Sequence, residues 1–159
     1  MPRCTFIFVL PLLAALGACG GPADRYGAAE TAAAASGRAA AAAAVDWAKA
    51  EAVTVTLDEF AFAPDAVTFR AGRPYALTLV NAGGSGHTFT APEFFRAIAL
   101  RAPSPGAGTG AQGALESVAL AAGARRTLEF VAVTPGAYAL KCERPLHSVF
   151  GMKGTIRIE

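Results

Sequence analysis

The sequence predicts an all-β fold, a Greek-key β-sandwich with a short helix in its middle section. Two observations carry that expectation. From Val53 onward the chain is a succession of short runs in which apolar residues alternate with polar or small ones. Glycine and proline clusters separate those runs at the spacing typical of sandwiches.

Val53-Thr54-Val55-Thr56-Leu57 opens the series, followed by Phe60-Ala61-Phe62-Ala63-Pro64 and Val67-Thr68-Phe69-Arg70. Ala71-Gly72-Arg73-Pro74 is a turn, and Tyr75 to Asn81 is a strand with Tyr75, Leu77 and Leu79 on one face. Gly83-Gly84-Ser85-Gly86 is a flexible turn that delivers His87. Pro92 to Leu100 carries apolar residues at helical spacing, which predicts a short helix packing Phe94, Phe95 and Ile98 on the sandwich. Ala102 to Gly113, rich in Gly, Pro and Ser, reads as a mobile loop. Glu116 to Leu120, Arg126 to Val133, Ala137 to Cys142 and the closing GTIRIE supply the later strands.

The amino-terminal third has a different character. Residues 1–18 read as a lipoprotein signal peptide: Arg3 gives a positive start, and Phe6 to Leu16 is an apolar core too short to span a bilayer as a mature helix. Leu16-Gly17-Ala18-Cys19 resembles a bacterial lipoprotein cleavage box, which implies lipid on Cys19, a membrane anchor and a periplasmic location. Gly20 in place of Asp favours the outer membrane. Residues 19–50 read as a tether. Of the thirty-one residues from 20 to 50, fifteen are alanine, a composition with high helix propensity and little to bury beyond Val45 and Trp47.

Residues 51–159 then form one domain, with ten Lys and Arg against nine Asp and Glu. That balance gives no nucleic-acid stripe. Cys142 is the one thiol left once Cys4 is discarded and Cys19 acylated. An exported domain normally uses cysteines in pairs, so a single thiol asks for another occupation.

Metal ligation supplies one. Cys142, His147 and Met152 fall five residues apart in CERPLHSVFGM, and His87 is the second of only two histidines in the chain. Cys142 shares a strand face with Tyr138 and Leu140, while Pro145 and Gly151 punctuate a loop carrying His147 and Met152. A thiolate, two imidazoles and a weak thioether are the ligand set of a blue-copper electron-transfer site. One ligand on a distant strand and three on a carboxy-terminal loop resemble the cupredoxins, from about Val53 to Glu159. Phe62, Pro64, Gly72, Leu79-Val80-Asn81 and His87 match the first half of that family.

The resemblance implies one type 1 copper ion held by His87, Cys142, His147 and Met152. It implies a monomeric electron carrier, not an enzyme, whose redox partners dock at an apolar edge around His147 formed by Leu146, Val149 and Phe150. Lys141, Arg144 and Lys153 give that edge a mildly basic rim suited to an acidic partner. Gly86 either completes its turn or offers its carbonyl as a distant axial contact. Thr88 departs from the Asn that many members carry after this histidine, whose amide ties the two ligand-bearing segments together. The competing function is periplasmic copper binding for trafficking or tolerance. Such carriers favour Met- and His-rich sites, and this chain has two of each. An oxidase would need further histidine pairs, and a dinuclear centre a second cysteine in the loop.

Overall fold

The computed structural model describes residues 22–101, 108–109 and 115–159, with side chains over 33–101 and 115–159. Residues 1–18, read above as a signal peptide, Cys19 and most of the Ala102–Gly113 loop lie outside the described residues.

Two β-sheets face each other. The first has the strand order β2-β1-β4-β9-β6. Its strands are β1 (Glu51–Asp58), β2 (Ala61–Ala63), β4 (Pro74–Asn81), β6 (Ile98–Leu100) and β9 (Arg125–Ala132). The second runs β3-β11-β10-β5-β8-β7, built from β3 (Ala66–Phe69), β5 (His87–Thr90), β7 (Gly108–Thr109), β8 (Leu115–Leu120), β10 (Gly136–Lys141) and β11 (Lys153–Ile158). Consecutive strands stay in one sheet at β1–β2, β7–β8 and β10–β11 and otherwise cross to the other, and β1 with β4 and β3 with β11 pair in parallel while the other pairs are antiparallel. These crossovers give the sandwich that the alternation predicts.

The alternation sets the core. Along β4 every second residue is buried: Tyr75, Leu77, Leu79 and Asn81. Val55 and Leu57 of β1, Leu128 and Phe130 of β9, Phe89 of β5 and Ile156 and Ile158 of β11 meet them. Phe69, Tyr75, Phe94 and Phe130 form an aromatic cluster with mostly edge-on contacts between 4.8 and 5.8 Å.

The middle section differs from the expected helix. A helix covers only Pro92–Arg96 and buries Phe94 and Phe95. Ile98–Leu100 is strand β6 at the edge of the first sheet, paired with β9. A three-residue apolar run fits either structure by periodicity, and here β9 offers an open edge whose backbone groups it satisfies. Phe60 also leaves the strand predicted for it, standing at φ 62° between β1 and β2.

The alanine-rich segment is helical over Pro22–Ala44 and lies against β6. A 3-10 turn at Trp47–Lys49, capped by the Asp46 carboxylate on the Ala48 amide at 3.1 Å, joins it to β1. The Trp47 indole donates to the Ala42 carbonyl at 3.2 Å, and the Arg101 guanidinium stacks 5.1 Å from its ring. Among the described residues, no helix is long and apolar enough to cross a membrane.

Candidate metal centre

Three of the four predicted ligands converge at one end of the sandwich. One side-chain donor atom each from His87, Cys142 and His147 lies within 4.8 Å of the others. The imidazole centroids are 5.0 Å apart. Cys142 is fully buried, His87 is 1% exposed and His147 is 9% exposed. Met152 is also fully buried and is tied by backbone to both ligand-bearing neighbours. Its amide donates to the His147 carbonyl at 2.9 Å, and its carbonyl accepts from the Cys142 amide at 3.1 Å.

Local structure explains this convergence. The two strands that carry His87 and lead to Cys142 pair through one register position, Lys141 with Thr90. Beyond it Cys142 leaves β10 on the core face, below Leu140. The chain then turns continuously over 144–151. Leu146 at φ 69° and Gly151 at φ 109° supply the left-handed positions that fold the loop back.

Thr88, in the place where many members carry Asn, ties the two ligand-bearing segments together. Its Oγ1 accepts from the Glu143 amide at 2.8 Å, joining β5 to the loop. Its backbone N–H donates to Cys142 Sγ at 3.4 Å, and the hydroxyl lies 3.7 Å from the same sulfur. The hydroxyl also accepts from Thr90 Oγ1 at 3.2 Å. Hydrogen bonds directed at the thiolate stabilise its charge and orient it. The Gly86 carbonyl accepts a hydrogen bond from Arg144 Nη1 at 2.9 Å, so the loop's arginine grips the turn before His87.

The turn itself is organised by buried Asn81, at the end of β4. Its Nδ2 donates to the carbonyls of Ser85, Leu120 and Ala121 at 2.8 to 3.1 Å. Its Oδ1 accepts from the Gly83 amide at 3.0 Å. Gly83 runs so close to the imidazole that a Cβ there would sit 2.6 Å from His87 Nε2.

Among the described residues, three buried side-chain nitrogens have no hydrogen-bond partner: both ring nitrogens of His87 and Nδ1 of His147. Unpaired polar atoms in an apolar interior cost about 1–3 kcal/mol each, and a metal held by one nitrogen of each ring satisfies two of the three. Burial lowers the His87 pKa, opposed in part by the Glu59 carboxylate, so the ring is held neutral as a ligand must be. A buried cysteine sulfur beside two imidazole nitrogens, with a thioether in the adjoining backbone, fits copper by donor type.

Two neighbours escaped the sequence reading. Phe60 lies over His147 with ring centroids 5.0 Å apart, and against Phe150 at 5.5 Å. With Phe60, the predicted edge residues Leu146, Val149 and Phe150 make up the large exposed hydrophobics among the described residues. Glu59 stands 3.7 Å from His87 Nε2. Hydrogen bonds from Ser85 hold its carboxyl below the usual carboxylate range. The adjacency of both in DEF to a strand end was the available signal, but only the fold brings the turn before His87 onto them.

Residues 49–159 match the family of copper-binding proteins that includes plastocyanin and azurin. No curated protein matches the chain. Among solved structures, an auracyanin B aligns at 27% identity and TM-score 0.52, over 72% of this chain and 93% of that one. A dithionite-reduced auracyanin from the photosynthetic bacterium Roseiflexus castenholzii aligns at 19% identity and TM-score 0.50, over 69% and 98% of the two chains. A multicopper oxidase shares the fold at 12% identity and TM-score 0.50, but this chain covers only 44% of it. His87, Cys142 and His147 thus form a single metal site suited to one type 1 copper, and the chain belongs to the plastocyanin/azurin family of copper-binding proteins.

Proposed function

We propose that this protein is an exported, lipid-anchored electron carrier with His87, Cys142, His147 and Met152 as its copper ligands. One observation supports it above the rest: a buried cysteine sulfur and two imidazoles lie beneath an exposed apolar edge that centres on His147. Copper, when bound, supplies a one-electron couple. Cys142 and the two histidines hold it; Thr88 fixes the sulfur, and Asn81 and Arg144 fix the turn that carries His87. Leu146, Val149, Phe150 and Phe60 exclude water at the edge where a redox partner would dock, so the chain acts as a monomeric carrier and not as an enzyme.

The Leu16-Gly17-Ala18-Cys19 box supports a periplasmic location with lipid on Cys19, and Gly20 in place of Asp supports sorting to the outer membrane. Mass spectrometry of the mature amino terminus should find acylated Cys19; an unmodified terminus elsewhere would sink the anchor.

The optical spectrum of the copper-loaded protein tests the centre. The oxidised wild type should be intensely coloured by thiolate-to-copper charge transfer, and Cys142→Ser should lose that band entirely. Persistence of the band in the variant would refute the ligand assignment. Release of copper to a modest chelator on reduction would favour the carrier role in copper trafficking or tolerance instead.

A further inference from the structure

The buried histidine has a carboxylate behind it. Glu59 follows β1, and its side chain is 41% exposed while that of His87 is fully buried. Its Oε1 accepts from the Ser85 amide at 3.1 Å and from Ser85 Oγ at 3.0 Å. Oε2 lies 3.3 Å from the same hydroxyl. Ser85 is fixed in turn by Asn81, whose Nδ2 donates to its carbonyl. The neighbouring Asp58 has its Oδ1 engaged by the Glu59 amide at 2.8 Å.

Space between carboxylate and imidazole is kept open by Gly83. A Cβ there would lie 2.6 Å from His87 Nε2 and 3.1 Å from Glu59 Oε1. Any side chain at this position would therefore intrude between the two groups. His87 Nε2 faces this gap, buried and unpaired. The 3.7 Å separation lies just beyond a hydrogen bond, so a small shift of the half-exposed carboxylate brings the two atoms within reach.

We propose that Glu59 is a positioning residue for His87: its carboxylate accepts the Nε2–H, fixes the tautomer that leaves Nδ1 for the metal, and favours Cu(II) over Cu(I). The inference rests on the copper reading above. A histidine ligand that gives its second N–H to a carboxylate is a more basic donor and is held in one orientation. Loss of such a partner typically costs 10–100-fold in metal affinity. The negative charge also stabilises the more positive oxidation state. Arg144 is the opposing charge on this side, but its guanidinium is engaged by the Gly86 carbonyl, while the Glu59 carboxylate stands 3.7 Å from the ring nitrogen itself.

Two substitutions separate the parts. Glu59→Gln keeps an acceptor and removes the charge, whereas Glu59→Ala removes both. Glu59→Gln should lower Cu(II) affinity about tenfold and leave Cu(I) affinity within about twofold. A tenfold change for a one-electron couple corresponds to about 59 mV, here an upward shift of the potential. Glu59→Ala should also weaken Zn(II) binding. In the metal-free protein, ¹⁵N NMR should find His87 as the Nε2–H tautomer in the wild type and as a mixture in Glu59→Ala. Equal Cu(II) affinity, equal potential and the same His87 tautomer in all three proteins would overturn the role of Glu59. A wild type without the charge-transfer band would instead overturn the copper reading, and the metal-free tautomers would still decide the Glu59–His87 contact.

Discussion

The two histidines of the site reach it through opposite kinds of surroundings. His87 stands on a strand, 1% exposed, behind a turn held by Asn81, Ser85, Glu59 and Arg144. His147 hangs from a loop and reaches the surface among Phe60, Leu146, Val149 and Phe150, each at least 44% exposed. One side is a polar scaffold that holds a ligand still. The other is an apolar window with few polar groups to desolvate. On the proposed function, the difference teaches that holding the metal and passing electrons would fall to separate parts of the same site. Changes on the two sides should therefore fail in different ways.

The largest effect should come from the polar side. Asn81→Ala removes the donor shared by three carbonyls and the acceptor of the Gly83 amide. The buried groups left unpaired should cost about 3 kcal/mol of stability. Denaturant unfolding of the metal-free protein measures it, and a loss under about 1 kcal/mol would mean that the turn is held by something else.

On the apolar side the same stability measurement should barely move. Phe150 is 62% exposed, so Phe150→Lys removes little buried area. It places charge at the centre of the window, where truncating an anchor typically costs about 2 kcal/mol of docking, or roughly thirtyfold. Electron self-exchange between oxidised and reduced copies, followed by NMR line broadening, should slow by about that factor with an unchanged optical spectrum. A rate equal to wild type would erase the distinction between the two sides.

The two sides were also unequally legible in the sequence. Strand alternation gave the core because a residue pointing inward must be apolar, and Tyr75, Leu77 and Leu79 behaved so. The ligands were legible because their chemistry is scarce: two histidines in the chain and one cysteine in the domain from residue 51 leave little choice. Leu146, Val149 and Phe150 were readable as an edge because they flank His147. Phe60 was not, since its left-handed backbone takes it off the strand that its neighbours suggest. Glu59 was hidden for a related reason. Ser85 and His87 lie more than twenty residues downstream, and only the pairing of β1 with β4 brings their turn alongside. Ile98–Leu100 failed on length, being too short to show a period. The alanine-rich segment showed helix propensity but not its seat against β6.

Met152 joins the two sides, and its substitution should have the smallest effect. It is fully buried, and its backbone bonds to His147 and to Cys142 hold the loop whatever side chain it carries. Met and Leu have similar volumes, so Met152→Leu should change stability of the metal-free protein by less than about 1.5 kcal/mol. The thioether is a weak axial donor in centres of this type. The copper and its charge-transfer band should therefore remain while the reduction potential rises, because Leu withdraws a donor that favours Cu(II) and leaves an apolar wall. A redox titration beside the optical spectrum reads both. Loss of copper would make Met152 a principal ligand, and the loop, rather than the polar turn behind His87, would then be the part that holds the metal.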